Sequence, residues 1–116
     1  MSKKIQRFMP YGRQKIDNQD IRKVVSVLKN DLITQGNQIQ KFESGLSKYV
    51  GAKYAVACSS GTAALHLSCL ALGLGAGKSL LTTPISFVAT ANCAEFVGAK
   101  VIFSDIEKEY FCLSAE

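Results

Sequence analysis

The stretch Tyr54-Ala-Val-Ala-Cys-Ser-Ser-Gly-Thr-Ala-Ala-Leu65 decides the fold, because it predicts a short buried strand that turns directly into an apolar helix. Two interpretations of the turn are open. In the first, the free N–H groups and the dipole of the helix start bind a phosphate, Gly61 allows close approach, and the Ser60 and Thr62 hydroxyls add hydrogen bonds. In the second, the Ser-Ser-Gly-Thr run is an ordinary cap between a strand and a helix.

Helical and strand spacing of apolar residues continues on both sides of this stretch. Before it, the pattern predicts a helix from about Asn18 to Asn30 capped by Asp17, and a second helix through Ile39 that ends at Gly51. After the strand at 54–58, the pattern predicts a helix over 62–72 buried on more than one side, a strand over 79–82, a helix over 88–97 closed by Gly98, and a strand over 100–103. This alternation predicts an α/β protein with a largely parallel sheet.

Composition limits the classes of function. The 116 residues, 47% of them hydrophobic, are enough for one small folded domain, and the net charge of +5 is spread without a basic run interleaved with aromatics. No apolar segment reaches the roughly 20 residues that a bilayer span needs. We therefore expect a cytoplasmic protein with no membrane or nucleic-acid partner. The cysteines form no CxxC pair and are predicted to be buried free thiols: Cys58, Cys69, Cys93 and Cys112.

Two further features invite a functional interpretation that the sequence does not support. The run Gly73-Leu-Gly-Ala-Gly-Lys-Ser79 lacks the glycine that a phosphate loop needs where Leu72 stands, and it follows a helix and leads into a strand. We interpret it as a helix-to-strand connection. His66 is the single histidine, which excludes a histidine pair on a metal, and its place on an apolar helix favours a packed residue over a catalytic base.

Six segments occur in an order that is more specific than any of them alone. They are MPYGRQ (9–14), ITQG (33–36), FE (42–43), GAKYAVA (51–57), SSGTAAL (59–65) and TTPISFVATAN (82–92). Together they resemble the start of the DegT/DnrJ/EryC1/StrS family of pyridoxal-phosphate sugar aminotransferases. The last segment is most similar to the family's transaminases that make a 4-amino sugar on the route to pseudaminic acid.

The resemblance implies that the chain is the truncated N-terminal portion of a fold-type I aminotransferase large domain, which has three α/β/α layers. Residues 1–50 would form an N-terminal arm and two helices, and residues 51–116 the start of the cofactor-binding region. Later strands would separate the first strand, 54–58, from the other two, so its ladder groups would be unpaired. We expect a marginally stable or aggregating product.

The resemblance also implies the site residues. The backbone N–H groups of Thr62 and Ala63 would hold the phosphate of pyridoxal 5'-phosphate, Gly61 would allow its close approach, and Phe87 would stack on its pyridine ring. Residues that would contact a nucleotide-linked sugar are Tyr11, Asp31, Leu32, Ile33 and Thr34. The family's catalytic lysine and the aspartate opposite the pyridine nitrogen would lie beyond this chain, so no catalytic residue is assigned.

The implied reaction transfers an amino group from glutamate to the 4-keto carbon of the sugar, in an enzyme that is a homodimer when complete. The chain alone is expected to be inactive. Two alternatives are a non-catalytic phosphate-binding or dimerisation module, and a basic α/β domain in which the SSGT turn is only a cap.

Overall fold

The computed structural model describes residues 10–30 and 32–114, and these form two compact units that divide between Ala55 and Val56. The first unit contains helices α1 (Asn18–Leu28) and α2 (Asn37–Val50). The second contains α3 (Gly61–Ala71), β1 (Ser79–Thr82), α4 (Ala89–Glu95) and β2 (Lys100–Phe103). Within the described ranges, no helix combines the length and the apolar character needed to cross a membrane.

Capping residues mark the start of α1 and the end of α2. The Asp17 carboxylate accepts the N–H groups of Gln19 and Asp20, and the Asp20 carboxylate accepts the Asp17 N–H, which is a reciprocal capping box. The predicted cap is therefore confirmed, and α1 ends two residues earlier than predicted. At the end of α2, Gly51 adopts a φ of 68°, as predicted for a left-handed terminator.

The second unit is built around two parallel strands joined by α4. Ser79 pairs with Lys100 and Thr82 with Phe103, so the register covers the full length of both strands. Helix α4 packs on both strands, and α3 packs on α4. The predicted strands, their parallel pairing and the intervening helix are confirmed, although α4 is shorter at both ends than predicted.

The predicted strand over 54–58 is wrong for the described chain. A strand exists only through hydrogen bonds to a neighbouring strand, and the described sheet contains β1 and β2 alone. The expectation that 54–58 would lack its neighbours agrees with this result. The segment still leads directly into α3, so the order of elements around the turn is as predicted.

Burial in this structure is less extensive than the sequence predicts. Helix α3 buries Cys69 alone among its described residues, while Leu70 is 53% exposed, so the prediction that α3 is covered on several sides is wrong. Cys58 and Cys112 are also exposed, whereas Cys69 and Cys93 are buried as predicted, and all four thiols are free. Apolar pattern alone cannot say whether a covering element is present.

A tight loop after β2 organises its backbone around one carboxylate. Glu107 accepts the N–H groups of Glu109 at 2.7 Å, Tyr110 at 2.6 Å and Cys112 at 3.3 Å. These backbone donors, that of Glu109 foremost, hold the pKa of the Glu107 carboxyl below its ordinary value of 4.5. We therefore expect the charge of the Glu107 carboxylate to stabilise this loop.

Candidate cofactor site

The start of α3 combines a completed cap with two free donors. Ser60 is the N-cap, and its Oγ accepts the Ala63 N–H at 3.1 Å. In the described part of the chain, the N–H groups of Gly61 and Thr62 have no hydrogen-bond partner. Ser60 thus caps the helix through the Ala63 N–H, and the N–H groups of Gly61 and Thr62 remain available for a ligand.

The surroundings of this helix start suit a phosphate. A Cβ built on Gly61 would meet nothing within 4 Å, so the space beside its backbone is open. The Cys58 Sγ donates to the Ser60 carbonyl oxygen at 3.4 Å and so supports the turn. Two free N–H groups, the helix dipole and the hydroxyls of Ser60 and Thr62 make a donor set that matches the oxygens of a phosphate monoester.

Phe87 lies in the loop between β1 and α4, where its backbone is hydrogen-bonded and its ring is exposed to solvent. Its carbonyl oxygen accepts the Thr90 hydroxyl at 2.7 Å and the Thr90 N–H at 3.0 Å. The ring is 74% exposed. Earlier in the loop, the Thr83 hydroxyl accepts the Ile85 N–H at 3.2 Å. An anchored backbone that presents an exposed aromatic face is suited to stacking on a planar ligand.

The described residues among those predicted to contact a nucleotide sugar are exposed in the first unit. Tyr11 is fully exposed, and Leu32, Ile33 and Thr34 lie exposed in the connection between α1 and α2. Asp31 lies outside the described residues. The structure therefore leaves the side chains of Leu32, Ile33 and Thr34 accessible without assembling them into an enclosed pocket.

An open cleft of about 500 Å³ adjoins this connection. Among the described residues, Leu32 is the predicted sugar-contact residue that lines it. Among the other lining residues, Gln35 and Gly36 belong to the ITQG segment of the sequence pattern, whereas sequence analysis assigned no site role to Lys29, Asn30, Asn37, Gln38 and Lys41. Lys29 follows α1 and Lys41 lies within α2, so the two lysines form no local sequence motif that would predict this cleft.

His66 has a packing role in this structure. Its ring centroid lies 5.4 Å from that of Phe96, at an interplanar angle of 60°. This tilted contact joins α3 to the end of α4 and is typical of paired aromatic rings. It agrees with the interpretation of His66 as a packed residue.

The sequence pattern that surrounds these groups is that of a known family. Residues 14–116 match the DegT/DnrJ/EryC1/StrS aminotransferase family over most of the chain. The chain belongs to this family. Among the curated relatives, UDP-4-amino-4,6-dideoxy-N-acetyl-beta-L-altrosamine transaminase of Campylobacter jejuni subsp. jejuni serotype O:23/36 (strain 81-176) is 44% identical over 99 residues, which are 85% of this chain and 26% of that protein.

A second curated relative is named for the biosynthesis of a polysaccharide. Spore coat polysaccharide biosynthesis protein SpsC of Bacillus subtilis (strain 168) is 38% identical over 108 residues, covering 93% of this chain and 28% of that protein. The chain thus spans about a quarter of the length of the curated relatives it matches.

Solved structures agree with the family assignment. Helicobacter pylori PseC, an aminotransferase involved in the biosynthesis of pseudoaminic acid, superposes with a TM-score of 0.78 at 33% identity over 84% of this chain and 27% of that chain. NtdA from Bacillus subtilis, solved with bound cofactor PMP, superposes with a TM-score of 0.76 at 34% identity over 85% and 24% of the two chains. The predicted fold class, part of a fold-type I aminotransferase, is confirmed, and the family indicates pyridoxal phosphate as cofactor.

Proposed function

We propose that this chain is the part of a sugar aminotransferase that holds the phosphate of pyridoxal 5'-phosphate and contacts a nucleotide-linked sugar. The complete enzyme would transfer an amino group from glutamate to the 4-keto carbon of that sugar, in the altrosamine-type reaction of pseudaminic acid or surface polysaccharide biosynthesis. The observation that carries the proposal is the start of α3, where Gly61 and Thr62 keep free N–H groups beside open space.

The phosphate would be held mainly by backbone. Gly61 and Thr62 donate their N–H groups directly, and the positive end of the α3 dipole favours the dianion. The Ala63 N–H joins them when the Ser60 hydroxyl, which now accepts it at 3.1 Å, turns to donate to a phosphate oxygen. The site therefore needs a local hydroxyl rotation and no backbone rearrangement.

The other proposed contacts orient the two ligands. Phe87 presents its exposed ring from an anchored backbone, so it can cover one face of the cofactor ring and exclude water from it. Tyr11 and the connection at 31–34 would contact the nucleotide sugar, and the accessible positions of Leu32, Ile33 and Thr34 support this role.

Catalysis would require residues outside this chain. Bound pyridoxal phosphate supplies the electron sink that allows an amino group to leave glutamate and reach a keto sugar. The resemblance assigns the catalytic lysine to none of the lysines present, so the chain's own work is binding and orientation. We expect a homodimer for the complete enzyme, a cytoplasmic location, and no transamination by the 116 residues alone.

The test compares two ligands that differ in the phosphate. Pyridoxamine 5'-phosphate and pyridoxamine both lack the aldehyde that would react with surface lysines, so saturable binding can be measured by fluorescence without that background. We expect the phosphorylated ligand to bind at least about tenfold more tightly, because charge-assisted hydrogen bonds are worth about 1.5–3 kcal/mol. Equal affinity for the two ligands would contradict the phosphate site and favour the ordinary cap.

A matched pair of variants isolates the backbone donor. Thr62→Pro removes one proposed N–H at a position in the first helical turn, where proline is tolerated, while Thr62→Ala keeps that N–H and removes only the hydroxyl. We expect Thr62→Pro to weaken pyridoxamine 5'-phosphate binding about tenfold and Thr62→Ala by less than about threefold. The same loss in both variants would assign the effect to the hydroxyl. Phosphate-dependent binding without transamination would also fit a non-catalytic phosphate-binding module. A transamination assay of a longer chain that carries the catalytic lysine would distinguish this module from part of an enzyme.

A further inference from the structure

The Cys58 thiol is hydrogen-bonded to the turn that leads into α3. Its Sγ donates to the Ser60 carbonyl oxygen at 3.4 Å, and the same oxygen accepts the Ala64 N–H at 3.0 Å, which is the first backbone hydrogen bond of the helix. A backbone carbonyl oxygen has two lone pairs, so both are used here. The Ser60 carbonyl is therefore held by two donors, one from the helix and one from a side chain that precedes it.

The Ser60 carbonyl belongs to the same peptide group as the Gly61 N–H. Because a peptide group is planar and trans, its N–H points away from its carbonyl oxygen, and holding one end fixes the direction of the other. In the part of the chain that the structure describes, the Gly61 N–H has no partner, and the space beside Gly61 is open. The Cys58 thiol thus acts on the direction of a free donor that it does not itself contact.

A hydrogen bond to a carbonyl oxygen also polarises the peptide group. Electron density moves toward the oxygen, so the N–H at the other end becomes a stronger donor. The Cys58 thiol is not needed to cap α3, because the Ser60 Oγ already accepts the Ala63 N–H at 3.1 Å. The thiol therefore supplies a second donor to a carbonyl whose helical hydrogen bond is already made, and its effect falls on the Gly61 N–H.

We propose that Cys58 is a positioning residue for phosphate binding: its thiol orients and polarises the Ser60–Gly61 peptide so that the Gly61 N–H donates to a phosphate oxygen. This inference rests on the proposed function, because the phosphate is that of the proposed cofactor. Cys58 acts through the peptide and is assigned no contact with the ligand. The sequence pattern predicted a buried thiol at this position, whereas the structure exposes it beside the site.

The experiment measures phosphate preference, which is the affinity of the full chain for pyridoxamine 5'-phosphate divided by its affinity for pyridoxamine. Cys58→Ala removes the donor, and Cys58→Ser replaces it with a hydroxyl. Cys112→Ala is the matched control, because Cys112 is also exposed and its Sγ also donates to a backbone carbonyl, that of Tyr110 at 3.8 Å. We expect a loss of about threefold in Cys58→Ala, since a thiol is a weak donor, and changes below about twofold in the other two variants.

The Gly61 amide reports the same change without any ligand. We expect its NMR peak to shift in Cys58→Ala, because the preceding carbonyl loses a hydrogen bond, and to return toward its wild-type position in Cys58→Ser. A merely structural role of Cys58 would weaken the binding of both ligands equally and leave their ratio unchanged. Far-UV circular dichroism of each variant verifies that α3 is intact.

Failure of this inference and failure of the proposed function give different results. A wild-type chain without phosphate preference would contradict the proposed function, and the role of Cys58 with it. A wild-type preference that persists in full in Cys58→Ala would overturn the role of Cys58 alone. So would a Gly61 peak that does not move in Cys58→Ala, or an equal loss of preference in Cys58→Ser or Cys112→Ala.

Discussion

The two units of the molecule reach their structures by different routes. Helices α1 and α2 contain no buried residue in the described chain, and local signals such as the Asp17 capping box and the left-handed Gly51 define their ends. In the second unit, α4 is covered by α3 and by both strands, and Ala94 is completely buried. Capping therefore determines where a helix lies in the sequence, whereas burial determines how much of the folding free energy it carries.

The largest expected effect breaks the second unit at its core. Ala94→Asp places a charge at a position with 0% exposure, and we expect it to cost about 3 kcal/mol or more and to abolish amide-exchange protection in β1 and β2. Ala71→Asp, at an exposed position at the end of α3, is the matched control and should cost less than about 1 kcal/mol. Protected strands in Ala94→Asp would mean that this core does not stabilise the unit.

Two glycine substitutions are expected to change the stability of α2 in the first unit by a smaller amount. Gly51→Ala forces a side chain into a φ of 68°, so we expect α2 to lose about 1 kcal/mol of stability. Gly45→Ala lies within α2 with nothing within 4 Å of the added carbon, so we expect a gain of about 0.5–1 kcal/mol. Amide exchange of α2 measures both changes. The same sign in both variants would contradict the assignment of α2 stability to its left-handed terminator.

The smallest effect concerns acid stability of the second unit. Because the folded pKa of Glu107 lies below 4.5, its carboxylate stabilises the loop above that pH, and the contribution disappears as pH falls through the folded pKa. We expect the melting temperature of the wild type to exceed that of Glu107→Gln at pH 7 and the difference to shrink below about pH 4.5. A difference that stays constant from pH 7 to pH 3 would show that the charge of Glu107 is not involved.

The part of the candidate site that consists of backbone N–H groups at the start of α3 was predictable from the sequence. The SSGT run indicated a helix start with donors available, and the structure leaves the Gly61 and Thr62 N–H groups without partners in the described chain. The Ala63 N–H donates to the Ser60 hydroxyl, as the interpretation of the turn as an ordinary helix cap predicts. The cleft lined by Lys29 and Lys41 was not predicted, since it arises where a helix end and a following helix start meet in space.

Local signals in the sequence were enough to place the cap at Asp17, the terminator at Gly51, and the alternation that puts α4 between two parallel strands. Tertiary structure alone decided whether 54–58 pairs as a strand and which cysteines are buried. The physical reason is that a cap is satisfied by atoms within a few residues, whereas a strand and a buried side chain require partners from elsewhere. A chain that spans a quarter of its relatives' length therefore keeps its local caps. Its strand pairing and burial depend on which other elements are present.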